Sequence, residues 1–129
     1  MVKIIYPKDK QDQLRDLAIE KLKLRLLPDS NIIKFLLIGS ATDNTFGEYS
    51  VPNGQGRLYS DFTFIVFIED SYSFPDWLEK DALEGVYQFY NKKNFLFNKY
   101  ELKIGFVYKE DMELEEDFLR FSKTVIEVI

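Results

Sequence analysis

The segment from Phe35 to Ile68 constrains the fold most. An apolar run stops at Gly39-Ser40, gives way to a long polar stretch, and resumes as Ser60-Asp61-Phe62-Thr63-Phe64-Ile65-Val66-Phe67-Ile68. Leu36-Leu37-Ile38 is too short and too branched for a helix, and Gly39 ends it, so it reads as a buried strand that delivers its backbone to a sheet edge. The second run is rich in β-branched and aromatic residues and almost wholly apolar after its start, which predicts a second buried strand. Side chains on a strand alternate, so Asp61 and Thr63 project from one face and Phe62 and Phe64 from the other.

At 129 residues the chain is read as a single domain, 1–129, large enough to bury a core without a disulfide or metal. It has neither cysteine nor histidine. Thiol nucleophiles, thiolate zinc sites, Ser-His triads and imidazole bases are thereby excluded, leaving carboxylate, hydroxyl, Lys and Arg chemistry. No apolar stretch approaches the ~20 residues of a membrane helix, and Lys3 interrupts any apolar leader, so no membrane partner and a cytoplasmic location are expected. A net charge of −5 argues against a dedicated nucleic-acid binder. The charge is uneven: residues 1 to 27 hold seven basic and four acidic side chains, and 101 to 129 hold four basic and eight acidic. Such opposite ends suit solvated helix faces, or the steering of a partner or second copy.

In chain order, Lys3 to Tyr6 reads as a short extended lead closed by Pro7. Leu14, Leu17, Ala18, Leu22 and Leu26 recur at helical spacing and predict an amphipathic helix from Lys8 to Leu27, with Leu24 and Leu27 off the stripe and turn formers from Pro28 to Asn31 ending it. The loop from Ala41 to Tyr59 is long enough to be functional. It contains Gly47, Gly54 and Gly56 and one cation, Arg57, and reads as a flap or a hairpin turning at Asn53-Gly54. Ser73 as N-cap and Pro75 in the first turn predict a helix to Tyr90, with Leu78, Ala82, Val86, Phe89 and Tyr90 on one stripe, Gly85 packing closely and Trp77 as a core anchor. Phe95-Leu96-Phe97 either pairs back through Asn98-Lys99 or is a loose connection. Tyr100 to Tyr108 alternates as a strand, with Glu101 and Lys103 sharing a face. Acids from Glu110 onward suit the start of a helix carrying Leu114, Phe118 and Phe121, and Thr124 to Ile129 is branched enough for a last strand. The expected class is α/β (α+β), a small mixed sheet flanked by helices.

An apolar strand, Gly39-Ser40, Gly47 a few residues on, and Ser60-Asp61 opening a second apolar strand together resemble the nucleotidyltransferase fold of the polymerase-beta type, above all its minimal single-domain members. A helix before the Gly-Ser strand is shared with that family. The resemblance implies that Gly39 and Ser40 grip nucleotide phosphates, that Ser60 and Asp61 open the metal-binding strand, and that a later strand brings a further carboxylate, for which Glu101 is the candidate. It implies magnesium at Asp61 and an NTP as ligand. The family's second acidic position is occupied here by Thr63, and no acid stands at position 103. One carboxylate and a neutral hydroxyl make a poor cage for two magnesium ions, which need several anionic oxygens at about 2.0–2.1 Å.

Three functional readings follow. The first is a degenerate, catalytically weak or inactive pseudoenzyme that binds a nucleotide or a protein partner, with magnesium weakly held or absent and Lys103 or Arg57 meeting a phosphate. The second is an active enzyme moving an NMP group from an NTP to a hydroxyl, with Asp61 as metal ligand and Glu101, Asp43 or Glu48 completing the cage. The third is a structural homodimer or the small subunit of a helical partner, docked at the exposed part of the Leu24 and Leu27 patch.

Overall fold

The computed structural model describes residues 2–50, 57–81, 88–114 and 124–129. Strand β1 (Val2–Ile5) leads into helix α1 (Lys8–Leu26), and β2 (Ile32–Ile38) runs into a 3-10 turn at Gly39–Ala41. Strands β3 (Gly47–Ser50), β4 (Arg57–Tyr59) and β5 (Phe62–Ile68) follow. Then come β6 (Glu79–Lys80), β7 (Gln88–Leu96), β8 (Tyr100–Tyr108), a 3-10 segment (Lys109–Leu114) and β9 (Ile126–Glu127). The strands form two sheets, β1-β3-β4 and β6-β7-β8-β5-β2-β9, so the mixed α+β class expected from sequence is observed.

The centre of the larger sheet is a parallel pair, β5 with β8, in which Thr63 lies opposite Lys103. The other pairings are antiparallel, including β2 with β5, where Ile38 lies opposite Thr63. Both faces of this centre are covered beyond its first residues, which is why β2 and β5 read as nearly continuous apolar runs, while β8 alternates as far as Ile104. On one face Phe35, Leu37, Phe62, Phe64, Leu102, Ile104 and Phe106 join Leu14, Ala18, Leu22 and Leu26 of α1 in one core. On the other, Leu36, Ile38, Ile65, Phe67 and Val107 form a smaller cluster closed by Ile33, Met112 and Val125. Asp61 and Thr63 therefore belong to the second face and Phe62 and Phe64 to the first, as strand alternation dictates.

The smaller sheet is tied to α1 by a polar side chain. Gln11 is buried on the helix stripe; its amide donates to the carbonyls of Tyr6 (2.8 Å) and Asn44 (3.3 Å) and accepts the Phe46 N–H (3.1 Å). Aromatic contacts reinforce this junction. Phe46 stacks on Phe62 with centroids 4.6 Å apart, and Tyr100 donates to the Tyr6 hydroxyl at 3.0 Å, which itself donates to Glu48 Oε2 at 3.4 Å. Within the sheet, β1 comes so close to β3 that a Cβ at Gly47 would stand 1.9 Å from the Ile4 carbonyl oxygen.

Several expectations are met and others corrected. The loop after Ala41 contains the two strands of a hairpin, with Glu48 opposite Tyr59 and Ser50 opposite Arg57, and the turn expected at Asn53-Gly54 lies outside the described residues. Phe95-Leu96 does pair back: Lys99 N–H bonds the Leu96 carbonyl at 3.0 Å across Phe97 and Asn98, both at positive φ (53° and 56°), the geometry of a type I′ turn. A final strand, β9, pairs with β2. The helix expected from Pro75 to Tyr90 is not formed. Pro75 to Leu78 is a turn, β6 follows, and Gln88 onward is β7, bonded along β8. Leu78 and Tyr90 are buried as the stripe required, but a free ladder on β8 captures the β-favouring Phe89-Tyr90 where local spacing suggested a helix. Ser73 consequently caps nothing of the kind, and Gly85, Ala82 and Val86 lie outside the described residues. Lys109–Leu114 is 3-10, and Phe118 and Phe121 of the expected tail helix also lie outside them. Trp77 packs against the core, with the Arg25 guanidinium 4.8 Å from its ring centre.

Two outcomes test this architecture. Gly47→Ala forces β1 and β3 apart, an overpacking cost of about 1–3 kcal/mol that should lower the thermal midpoint by roughly 5–10 °C, read by circular dichroism. Tyr72 is buried against Phe74 and Phe106, and burial, with the Asp29 carboxylate adding to it, pushes its phenol up to about 12. The unfolded phenol ionises near 10, so its stabilising preference is intact below pH ~10 and is lost between there and about 12, at up to ~1.4 kcal/mol per pH unit. Denaturant titrations from neutral pH into this window should show the decline, and Tyr72→Phe should make it shallower, the rest coming from Tyr6 and Tyr90, whose phenols burial also raises.

Candidate functional site

The start of β5 and the start of β8 lie level with each other because the two strands are parallel. This places three polar side chains of the second face together. Asp61 Oδ1 accepts a hydrogen bond from the Thr63 hydroxyl at 3.1 Å, and Asp61 Oδ2 stands 3.4 Å from Lys103 Nζ. The carboxylate is thus bracketed by a neutral donor and a cation. Both charged side chains keep contact with water, Lys103 at 45% and Asp61 at 36% of full exposure.

The Gly39–Ala41 turn is at the same end of the sheet. Ile38 is the register partner of Thr63, so the chain leaves β2 beside the point where it enters β5. Gly39 turns at φ +86°, a conformation that favours glycine, and a Cβ built there would meet no described atom within 4 Å. The turn is held from behind. Thr42 and Asp43 N–H groups return to the Gly39 carbonyl at 3.0 Å, the Thr42 hydroxyl donates to the carbonyls of Gly39 and Thr124, and Asp43 Oδ1 accepts the Thr124 N–H at 2.9 Å. The chain entering β9 therefore serves as the support of the Gly-Ser bend.

Of the remaining sequence candidates, Glu101 shares the second face with Lys103, two residues before it on β8, and the others are engaged elsewhere. Ser60 is buried, and its hydroxyl accepts the Gly47 N–H at 3.0 Å while its own N–H bonds the Gly47 carbonyl at 2.9 Å, joining β3 to the entrance of β5. Glu101 accepts a bond from Asn91 Nδ2 at 3.3 Å on the neighbouring strand. It lines a pocket of about 420 Å³ with Tyr59, Lys93, Asn94, Asn98 and Lys99. Arg57 stands on β4 opposite Ser50. Asp43 and Glu48 are engaged with Thr124 and Tyr6, as described above. Gln11 and Thr42, which fix the surroundings of the site, were not singled out from sequence; a glutamine in line with an apolar helix stripe is the one signal that marks the first.

Among the described residues, no three acidic side chains gather where they could share a metal ion. Among the described residues the groups that contact Asp61 are the Thr63 hydroxyl and the Lys103 ammonium, a set that does not fit the pair of divalent ions that the resemblance implies, because a cation already faces the carboxylate. No described helix is long and apolar enough to cross a membrane.

Replacing the cation by an acid tests that account of the donor set. Lys103→Asp puts a second carboxylate beside Asp61 and should create a divalent-cation site, raising Mn²⁺ affinity at least ~10-fold over the unaltered protein by calorimetry or EPR; equal affinity in both would refute it. No protein-family profile matches the chain, and no curated protein matches it either.

Proposed function

We propose that the protein is a degenerate nucleotidyltransferase-like module that binds the phosphates of a nucleotide without transferring them. The observation that carries this reading is the Lys103 ammonium, 3.4 Å from Asp61 Oδ2 and in register with Thr63, at the place where the resemblance implies metal-bound carboxylates. A fixed ammonium supplies positive charge next to the Gly39-Ser40 bend without the dehydration a magnesium ion must undergo. It adds only one charge and generates no activated nucleophile, so binding is favoured and chemistry is not.

The bend contributes in another way. It ends β2 beside the entrance of β5, so a phosphate held by Lys103 would lie against the Gly39-Ser40 turn, as the resemblance implies. Asp61 then acts as the group that holds Lys103 in place, while Thr63 holds Asp61. An incoming phosphate would share the ammonium with the carboxylate, which makes moderate affinity the expectation.

Titration with a labelled NTP, with and without EDTA, tests the reading. Binding should persist unchanged in EDTA, and Lys103→Met should weaken it roughly 10- to 100-fold, the range of one hydrogen bond to a charged group. Transfer of a labelled NMP group in magnesium or manganese, abolished by Asp61→Ala, would overturn it, as would failure to bind any nucleotide at millimolar concentration.

A further inference from the structure

The solvent side of α1 carries a ridge of large apolar side chains. Leu17 and Leu24, two turns apart, are 41% and 77% exposed. Exposed leucines scattered singly need no explanation. Leu24, however, stands between two hollows, and Leu17 and Glu20 also reach the smaller of them. One, of about 570 Å³, is lined by Asp16, Ile19, Glu20, Lys23, Leu24 and Leu27. The other, of about 270 Å³, lies between the ridge and the β7-β8 turn, where Phe97 is 60% exposed.

Charge is divided across the same ridge. Asp16 and Glu20 stand on the flank of the larger hollow, with Lys23 as the one base among them. Lys21 and Arg25 occupy the opposite flank, the first reaching the Phe95 carbonyl and the second lying over the Trp77 ring. The helix face is therefore apolar along its middle, net acidic on one side and basic on the other.

We propose that this ridge is a homodimer interface in which two copies of α1 pack in parallel about a twofold axis running along the helices. Symmetry selects that orientation. A twofold perpendicular to the helices makes them antiparallel and sets each flank against its own kind, Lys21 and Arg25 against Lys21 and Arg25. A twofold along them sets opposite flanks together, so that Asp16 and Glu20 of one copy face Lys21 and Arg25 of the other. Leu17 then meets Leu17 and Leu24 meets Leu24, with ridges seated beside the apolar hollows. The surface is separate from the Asp61 site, and the proposal does not rest on the nucleotide reading.

Sedimentation velocity over a range reaching ~200 µM should show a concentration-dependent dimer, and Leu24→Glu should weaken it at least ~10-fold while leaving the thermal midpoint unchanged at dilutions where both proteins are monomeric, because Leu24 is exposed. The chain has no native cysteine, so Leu17→Cys and Leu24→Cys report orientation cleanly. Each should cross-link with itself under oxidation. A chain monomeric throughout would leave the face to another protein and overturn the proposal. A dimer indifferent to Leu24→Glu would also overturn it, as would cross-linking found only when the two cysteine variants are mixed.

Discussion

Parallel pairing of β5 with β8 is the constraint on which the rest of this structure depends. Parallel neighbours cannot be joined by a tight turn, so the chain between Ile68 and Tyr100 has to travel back along the sheet before β8 can start. The return is made partly by β7, which bonds to the outer side of β8 and extends the sheet. With both sides of β8 paired and both faces of β5 buried, the centre of the sheet has no freedom to slip. A slip by one residue would send Phe62 and Phe64 to the face of Asp61, exposing them and burying a carboxylate. The register that the core enforces is also what sets Thr63 opposite Lys103.

Stability does not account for the charged pair so produced. An ion pair with both side chains more than a third exposed contributes about 0–1 kcal/mol and is screened by salt. The hydrogen bond from Thr63 adds little more, since water would serve the same carboxylate oxygen. What the arrangement does achieve is orientation: each oxygen of Asp61 has a partner, so the carboxylate has a fixed plane and the ammonium a fixed neighbour. The proposed nucleotide site depends on this oriented charge at the end of the sheet where β2 turns at Gly39.

The strands β2, β5 and β8 and helix α1 were legible in the sequence because each is long, buried on a defined face and bounded by glycine, proline or turn formers. Strand alternation also gave the shared face of Asp61 and Thr63. Two kinds of feature were not legible. The small sheet depends on β1, a four-residue strand whose Val2, Ile4 and Ile5 are exposed and show no pattern of burial. Its attachment through Gln11 joins residues more than thirty apart in sequence, beyond any local signal. The segment after Pro75 was misread because Leu78, Phe89 and Tyr90 satisfy a helical spacing as well as a strand's, and only the unpaired side of β8 decides between them. For the site, the residue types were visible but their meeting was not: Lys103 approaches Asp61 through a parallel register that neither strand encodes alone.

The edges of the sheets bear on how the molecule meets others. The six-stranded sheet ends in β6 and β9, two residues each, one of them Glu79-Lys80 and the other containing Glu127. The three-stranded sheet ends in β1, which carries Lys3, and in β4, which opens with Arg57. Short, charged edges are poor templates for a further strand, because few backbone groups can pair and the charges must be desolvated. Among the described strands, growth by addition is therefore disfavoured at β6 and β9, whereas β1 is short but carries exposed Val2, Ile4 and Ile5. Helix α1 is the opposite case: nineteen residues long, anchored beneath by Leu14, Ala18, Leu22 and Leu26, it presents an apolar ridge that needs no backbone partner. Association through side chains on a rigid helix is a route that needs no strand edge, and the divided charge of that helix limits which orientation can use it.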